Sequence, residues 1–223
     1  MGQIVIGQED NKMGPLLRSS LLSLSFCTIF SNNFESIKKG IEEHRKAFLK
    51  FTSIETDRLI IRKMKMDDID DIFCFTSDPE MLKFTPMYDL SKNKEGLSQY
   101  IKKVLKNYKD GNPEYWAVVY KKINKVIGIV TIDISSKHRG DIGYAICRKY
   151  WGKGFATEAA KAIIDFGFNT LGLKRIEGAC DPRNIASVKV LKKLGMKYEG
   201  LLKSYSCMRG EFCDRKLYAI INS

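Results

Sequence analysis

One stretch limits the folds open to this chain more than any other: Lys149-Tyr150-Trp151-Gly152-Lys153-Gly154-Phe155-Ala156-Thr157-Glu158-Ala159-Ala160. A strand is expected to end near Cys147, two glycines turn the chain, and a long alanine-rich helix follows over 155–171. Strand, turn and helix in immediate succession ask for a mixed α/β fold. The turn also points to a ligand. The first amides of a helix have no intrahelical acceptor, the positive end of the dipole lies beside them, and glycines let a ligand approach closely. Phosphate or pyrophosphate is the ligand such a site suits. Taken alone a G-x-G at a helix start is a weak sign, and neither G-x-G-x-x-G nor a terminal Lys-Ser/Thr pair is present.

Patterning along the chain supplies the other elements. The run Leu59-Ile60-Ile61 gives Thr56–Lys65 strand character. Asp67, Asp68, Asp70 and Asp71 crowd acids into the first turn of a helix that runs through Phe73 to Thr76. A second helix is expected over 93–110, with Leu97, Tyr100, Ile101, Val104, Leu105 and Tyr108 on one face. Strands follow over 115–120, 126–135 and 140–147, the second alternating as Val126, Gly128, Val130, Ile132, Ile134. Beyond the long helix come a strand over 175–180 and a helix over 185–194, opened by Asn184 and closed by Gly195. Strands over 196–206 and 215–221 end the series. The order β, αα, βββ, α, β, α, ββ describes a mixed α/β sandwich around one sheet.

The amino-terminal part reads differently. Residues 1–52 hold 7 of the 38 basic and 5 of the 26 acidic side chains, so most of the net charge of +12 lies in 53–223. The segment Leu21–Phe30 is apolar and serine-rich, faintly like a targeting peptide, but Glu9 and Asp10 precede it and no small-residue cleavage pattern follows. A helix is expected over 33–51 on the spacing of Phe34, Ile37, Ile41, Ala47 or Phe48, and Phe51. It reads as an arm that packs on its own domain or on a second subunit, as in a homodimer. The division expected is therefore an extension, 1–52, and a domain, 53–223.

At 223 residues the chain can bury about 70% of its unfolded surface without covalent staples. Its 44% hydrophobic and 29% charged composition excludes collagenous, coiled-coil and wholly disordered classes. No apolar run reaches the length of about eighteen residues that a spanning helix needs, so no membrane partner is expected. Six cysteines without a C-x-x-C pair, and two histidines, His44 and His138, make no zinc constellation. Reduced thiols and a cytoplasmic location are the expectation, with no metal. The lysines are dispersed among acids, without the stripe or tail that nucleic acid would ask for, and the positive field suits a polyphosphate cofactor or an acidic partner equally well.

Three blocks read together carry a resemblance: Asp141-Ile-Gly143-Tyr144-Ala-Ile146, then Tyr150-Trp-Gly152-Lys-Gly154-Phe-Ala156-Thr-Glu158-Ala, then Asn184-Ile-Ala-Ser187-Val-Lys-Val-Leu-Lys192-Lys-Leu194-Gly195-Met196. They resemble the GNAT N-acetyltransferases, and within them the branch of the ribosomal-protein N-terminal acetyltransferases RimJ and RimL. The opening Thr56-Asp-Arg58-Leu-Ile-Ile-Arg62 and the closing Gly210-Glu-Phe-Cys-Asp214-Arg-Lys-Leu-Tyr218-Ala are similar to that branch's first strand and last hairpin. The likeness spans about 53–222, and departs at Lys149, where the family's pattern begins Gln or Arg, and at Met196, where phenylalanine is usual.

The resemblance implies a mixed, mostly antiparallel central sheet with helices on both faces and a splayed strand pair. It implies acetyl-CoA as cosubstrate and a primary amine as acceptor, either a protein N-terminus or a small molecule. The pantetheine would lie along Ala145, Ile146 and Cys147. The pyrophosphate would sit on the amides of Trp151, Gly152, Lys153, Gly154, Phe155 and Ala156. Asn184 would bond the pantetheine and Ser187 would protonate the leaving sulfur; from spacing alone the pair reads as a helix cap and a small surface residue. Lys192, with Lys193, either reaches the adenosine 3′-phosphate or covers an exposed helix face. Asp141 occupies the place of the catalytic glutamate of histone-type members, and reads equally as a strand-end carboxylate paired with Arg139 or a lysine. Glu177 is the next base. Ser206 stands where RimL-like enzymes carry an acid, so that role does not carry over. Tyr144 and Tyr205 read as core or rim aromatics, Glu158 as support for the turn, and His138 as a solvated turn residue. The connection Phe84–Tyr88 would border the acceptor, its aromatics either contacting the substrate or packing the loop. Two other readings compete: a non-catalytic acyl-CoA-binding module, and a basic nucleic-acid-binding protein.

Overall fold

The computed structural model describes residues 39–85, 93–113 and 115–222, all within one compact unit, Ile37–Ser223. The segment Leu21–Phe30, the residues Phe34 and Ile37, and Pro86–Tyr88 lie outside the described residues.

Helix α1 (39–50) buries Gly40, His44 and Phe48, one position per turn, whereas Ile41 is 58% exposed. The packing face keeps Phe48 and, just past the helix, Phe51 from the expected spacing, but passes through Gly40 and His44 where that spacing has Ile41. Gly40 belongs there because a Cβ would come within 2.6 Å of Lys137. Phe48 and Phe51 close around Trp116 at ring separations of 5.9 and 5.4 Å, which fixes α1 on its own sheet.

The first strand signal unfolds into two strands. β1 (Ser53–Glu55) and β2 (Leu59–Arg62) pair antiparallel, Ser53 opposite Arg62. Thr56 closes the turn between them, accepting from the Leu59 amide at 3.0 Å on its hydroxyl and donating its own amide to the Leu59 carbonyl. After a 3-10 turn over Met66–Asp68 come α2 (Ile69–Thr76), the short α3 (Pro79–Leu82) and α4 (Lys94–Lys109). Asp78 caps α3 by accepting from the Glu80 amide, and Asn93 caps α4 by accepting from the Gly96 amide.

The remaining elements are β3 (Trp116–Tyr120), β4 (Lys125–Ser136), β5 (Arg139–Ile146), α5 (Phe155–Asn169), β6 (Arg175–Cys180), α6 (Ile185–Lys193), β7 (Lys197–Met208) and β8 (Glu211–Ile221). They form one eight-stranded sheet in the order β1-β2-β3-β4-β5-β6-β8-β7, antiparallel except for the pair β5 and β6. α5 makes the crossover that a parallel pair requires. The last hairpin is longer than its sequence signal because Arg209 and Gly210, both at positive φ, turn the chain in two residues.

Each face of the sheet has its own core. α1 and α5 cover one, with Trp116, Val130, Ile132 and Ile163 at its centre; α2 and α4 cover the other, with Ile72, Phe75, Leu97 and Ile101. β4 is buried on both faces from Val126 to Ile132, so its alternation does not separate core from solvent. Ile127 is also an extra residue against β3, which pairs Val118 with Gly128 and Val119 with Val126. The bulge reverses the phase: Val126 belongs to the α2 and α4 face, Val130 and Ile132 to the other. Among the described residues no helix is long and apolar enough to cross a membrane.

Candidate active site

The parallel pair β5 and β6 is joined only at its start, Arg139 to Arg175, Gly140 to Ile176 and Asp141 to Glu177. Beyond Asp141 the strands part. β5 stays with β4 as far as Ile146 opposite Gly128, while β6 stays with β8 as far as Cys180 opposite Lys216. The edge of β5 from Ile142 to Ile146 thus faces a gap. A cavity of about 1100 Å³ fills it, bounded by that edge, by Gly178–Asp181 and by the start of α6.

At one end of the cavity lies the glycine turn. A 3-10 turn, Arg148–Tyr150, follows β5, and the Trp151 amide donates to the Arg148 carbonyl at 3.0 Å. The amides of Gly152, Lys153 and Gly154 have no acceptor among the described residues. Gly152 and Gly154 hold φ of +73° and +82°, the left-handed region open to glycine at little cost. Gly154 is the N-cap of α5 and no side chain caps the helix, so the amides of its first turn are open as well. Trp151 contributes its ring to the cavity wall, its indole N–H donating to the Ile146 carbonyl at 2.5 Å.

At the other end three polar side chains meet. The Tyr144 hydroxyl lies 2.9 Å from Ser187 Oγ and donates to the Ser187 carbonyl at 3.2 Å. Burial pushes the Tyr144 phenol well above its ordinary range, against the opposing pull of its bond to Ser187. Cys180 is buried beside the same serine, and burial raises its thiol too. Asn184 accepts from the Ser187 amide at 3.0 Å, so it does cap α6, and it also lines the cavity. Gly178 lets α6 approach this closely: a Cβ there would stand 2.6 Å from Leu191.

Of the residues singled out in the sequence, Ala145, Ile146, Trp151, Gly152, Gly154, Phe155, Ala156, Asn184 and Ser187 share the wall of this cavity. Cys147, Lys153 and Lys192 do not. The Cys147 amide is spent on the Ile127 carbonyl, Lys153 turns its ammonium to the Lys149 carbonyl, and the neighbouring Lys189 and Lys193 line the wall instead of Lys192. Asp141 and Glu177 stand outside the wall in a row across three strands with Asp133, which does line it. Burial raises the Asp141 carboxyl, a bond to Ser135 opposes that, and the charge of Glu177 adds to it. Glu177 is held by Arg175 at 2.5 Å. Ser206 accepts from Arg215, and Tyr205 is 62% exposed at the rim.

Sequence reading passed over Tyr144 and Cys180 as site residues, and Asp133 and Met81 altogether. It took Glu80 only as one of the acids Asp67, Asp68, Asp70, Asp71, Asp78 and Glu80, which a polyamine or aminoglycoside acceptor would exploit or which belong to a charged first helical turn; of these Glu80 lines the cavity. Asp133 had no local signal: an unbroken hairpin from the turn after Ser136 would set Ile134 opposite Asp141, and the bulge between Ile134 and Ser136 shifts Asp133 into that place. For Glu80 and Met81 the signal was Asp78-Pro79, a cap followed by proline at the first helical position.

With this geometry the chain matches the model of the acetyltransferase (GNAT) domain over residues 58–197, and it belongs to that family. The uncharacterized N-acetyltransferase p20 of Bacillus licheniformis is 33% identical over 174 residues, 76% of this chain and 96% of that protein. Among solved structures, a GNAT-family acetyltransferase from Bacillus anthracis superposes with a TM-score of 0.68 at 30% identity, covering 76% of this chain and 98% of that one. The ribosomal-protein-S5-alanine acetyltransferase from Vibrio fischeri gives 0.65 at 28% identity, with 78% and 98% covered. The chain is an acetyl-CoA-dependent acetyltransferase with relatives in the RimJ and RimL branch, and the mixed α/β sheet implied by the sequence resemblance is the fold it has.

Proposed function

We propose that this enzyme transfers the acetyl group of acetyl-CoA to a primary amine, either a protein N-terminus or a small-molecule amine, by direct transfer with both substrates bound. The observation that carries the reading is the parted edge of β5, which runs from the uncapped glycine turn at one end to the Ser187 and Tyr144 hydroxyls at the other. RimL, a fold neighbour at 15% identity, was solved in complex with coenzyme A.

Acetyl-CoA supplies the activated acyl carbon. The chain supplies position and proton management. The amides of Gly152–Gly154 and the first turn of α5 hold the diphosphate, and the open backbone of Ile142–Ala145 pairs with the pantetheine amides. Carbon–nitrogen bond formation breaks the carbon–sulfur bond, so the sulfur gains a proton as the amine loses one. Ser187 donates the first, its hydroxyl oriented by the contact with Tyr144, and regains a proton from solvent after the thiol leaves. The row Asp133, Asp141 and Glu177 provides the acceptor for the second, directly from Asp133 in the wall or through water from Asp141. In domain terms, residues 53–223 form the acetyltransferase domain and 1–52 an extension whose helix α1 packs on it.

An amine panel with thiol release as the readout tests the proposal. Release that depends on an added amine supports it and names the acceptor class. Tight acetyl-CoA binding with no release from any amine would instead make the chain a non-catalytic acyl-CoA-binding module.

A further inference from the structure

The motif Thr56-Asp57-Arg58 lies in the β1 to β2 turn, outside the cavity wall. The Thr56 and Arg58 side chains nevertheless converge on the glycine turn and the first turn of α5. Arg58 Nη1 donates to the Lys153 carbonyl at 2.9 Å, its guanidinium stacks over the Phe155 ring at 4.3 Å, and Nη2 stands 3.4 Å from where a Cβ of Gly154 would be. Arg58 also grips Glu158, Nε at 2.7 Å and Nη2 at 2.6 Å. The Glu158 carboxylate further accepts from the Thr56 hydroxyl at 2.6 Å and the Arg58 amide at 3.0 Å.

Glu158 is the fourth residue of α5, so its charge sits one turn beneath the helix end proposed to bind a diphosphate. Burial works against that charge, but the bonds from Thr56 and from Arg58 hold the carboxyl below its ordinary range. A fixed negative charge so close to an anion site opposes binding unless it is cancelled in place. Arg58 is the cation that cancels it. Its Nη1 bond also occupies the Lys153 carbonyl, which lies between the two glycines of the turn.

We infer that Arg58 is a positioning residue of the acetyl-CoA site, acting through the glycine turn by neutralising Glu158 and occupying the Lys153 carbonyl. The inference rests on the proposed reading of that turn as the diphosphate site.

Calorimetric titration of coenzyme A into the wild type and the variants R58Q, E158Q, R58K and R58Q/E158Q tests it, with thermal unfolding of each protein run alongside. R58Q is expected to bind about tenfold more weakly, the change a partly screened, uncompensated charge produces. R58Q/E158Q, which removes the stranded carboxylate, is expected to recover a large part of that loss, and R58K to fall between R58Q and the wild type. Failure of the double variant to bind more tightly than R58Q overturns the inference, as does wild-type affinity in R58Q. If R58Q does not fold, R58K carries the test, and unaltered affinity there overturns the positioning role. A wild-type protein that does not bind coenzyme A would refute the proposed function itself, a result distinct from any of these.

Discussion

Gly154 concentrates two demands in one residue: a left-handed backbone at φ +82° and a bare amide facing the site. Gly154→Asp puts a carboxylate beside amides that await a diphosphate, so coenzyme A affinity should fall by at least about tenfold, read by calorimetry. Gly154→Ala separates the causes, since it keeps neutrality and retains only the backbone strain of about 1–2 kcal/mol. At the other end of the cavity, Ser187→Ala removes the hydroxyl proposed to protonate the sulfur. Steady-state kinetics should show kcat lower by about 10²-fold with KM little changed, the signature of an interaction made in the transition state. Tyr144→Phe should cost less, because its hydroxyl touches Ser187 and acts through it. A change confined to KM in Ser187→Ala would assign the serine to binding alone.

The elements differ in how far local signals determine them. β6 spans Arg175–Cys180 as its apolar pattern implies, and α4 lies between the cap Asn93 and Asp110, because caps and amphipathic spacing are properties of neighbouring residues. The glycine turn was legible for the same reason. Less legible was whatever depends on register. The bulge at Ile127, the bond between Tyr144 and Ser187, and the row of Asp133, Asp141 and Glu177 exist only once distant strands are aligned. α1 is the instructive case, since its spacing gave a helix but its buried face follows His44 and Phe48 and leaves Ile41 in solvent. That packing can be measured. Phe48 is 5% exposed against Trp116 and Phe166, so Phe48→Ala should cost about 3–5 kcal/mol in denaturant unfolding. A loss under about 1 kcal/mol, typical of surface sites, would mean that α1 adds little to the domain it lies on.

For the molecule as a whole, ligand and proton both act as probes of the folded state. Coenzyme A at a hundredfold excess over its Kd should add about 2.7 kcal/mol of stability, a rise in Tm of roughly 5–11 °C for a domain of this size. The proton acts with the opposite sign through His44. Its Nε2–H donates to the Leu171 carbonyl at 3.0 Å, and its buried Nδ1 has no partner among the described residues, so protonation would place a cation where nothing accepts it. Burial is the main cause holding the imidazole below its ordinary 6.5, with the Leu171 bond and the Glu43 charge pulling the other way and His138 and Lys137 adding to the depression. The unfolded chain binds this proton as the pH falls through 6.5, and the folded chain only further down. Stability contributed by the neutral ring is complete above 6.5 and is lost as the pH falls toward the folded value. Asp141 works in the reverse sense, since its raised carboxyl is relieved by acid, and Glu158 and Asp181, both lowered, lose stability only in the carboxylate range. These carboxylates are common to wild type and His44→Gln, so subtracting one pH–stability curve from the other leaves the imidazole. The difference should be flat above about pH 7 and should narrow steadily from 6.5 to about 5 as the wild type loses its share. Parallel curves across that range would show that the ring finds a proton acceptor in the folded state.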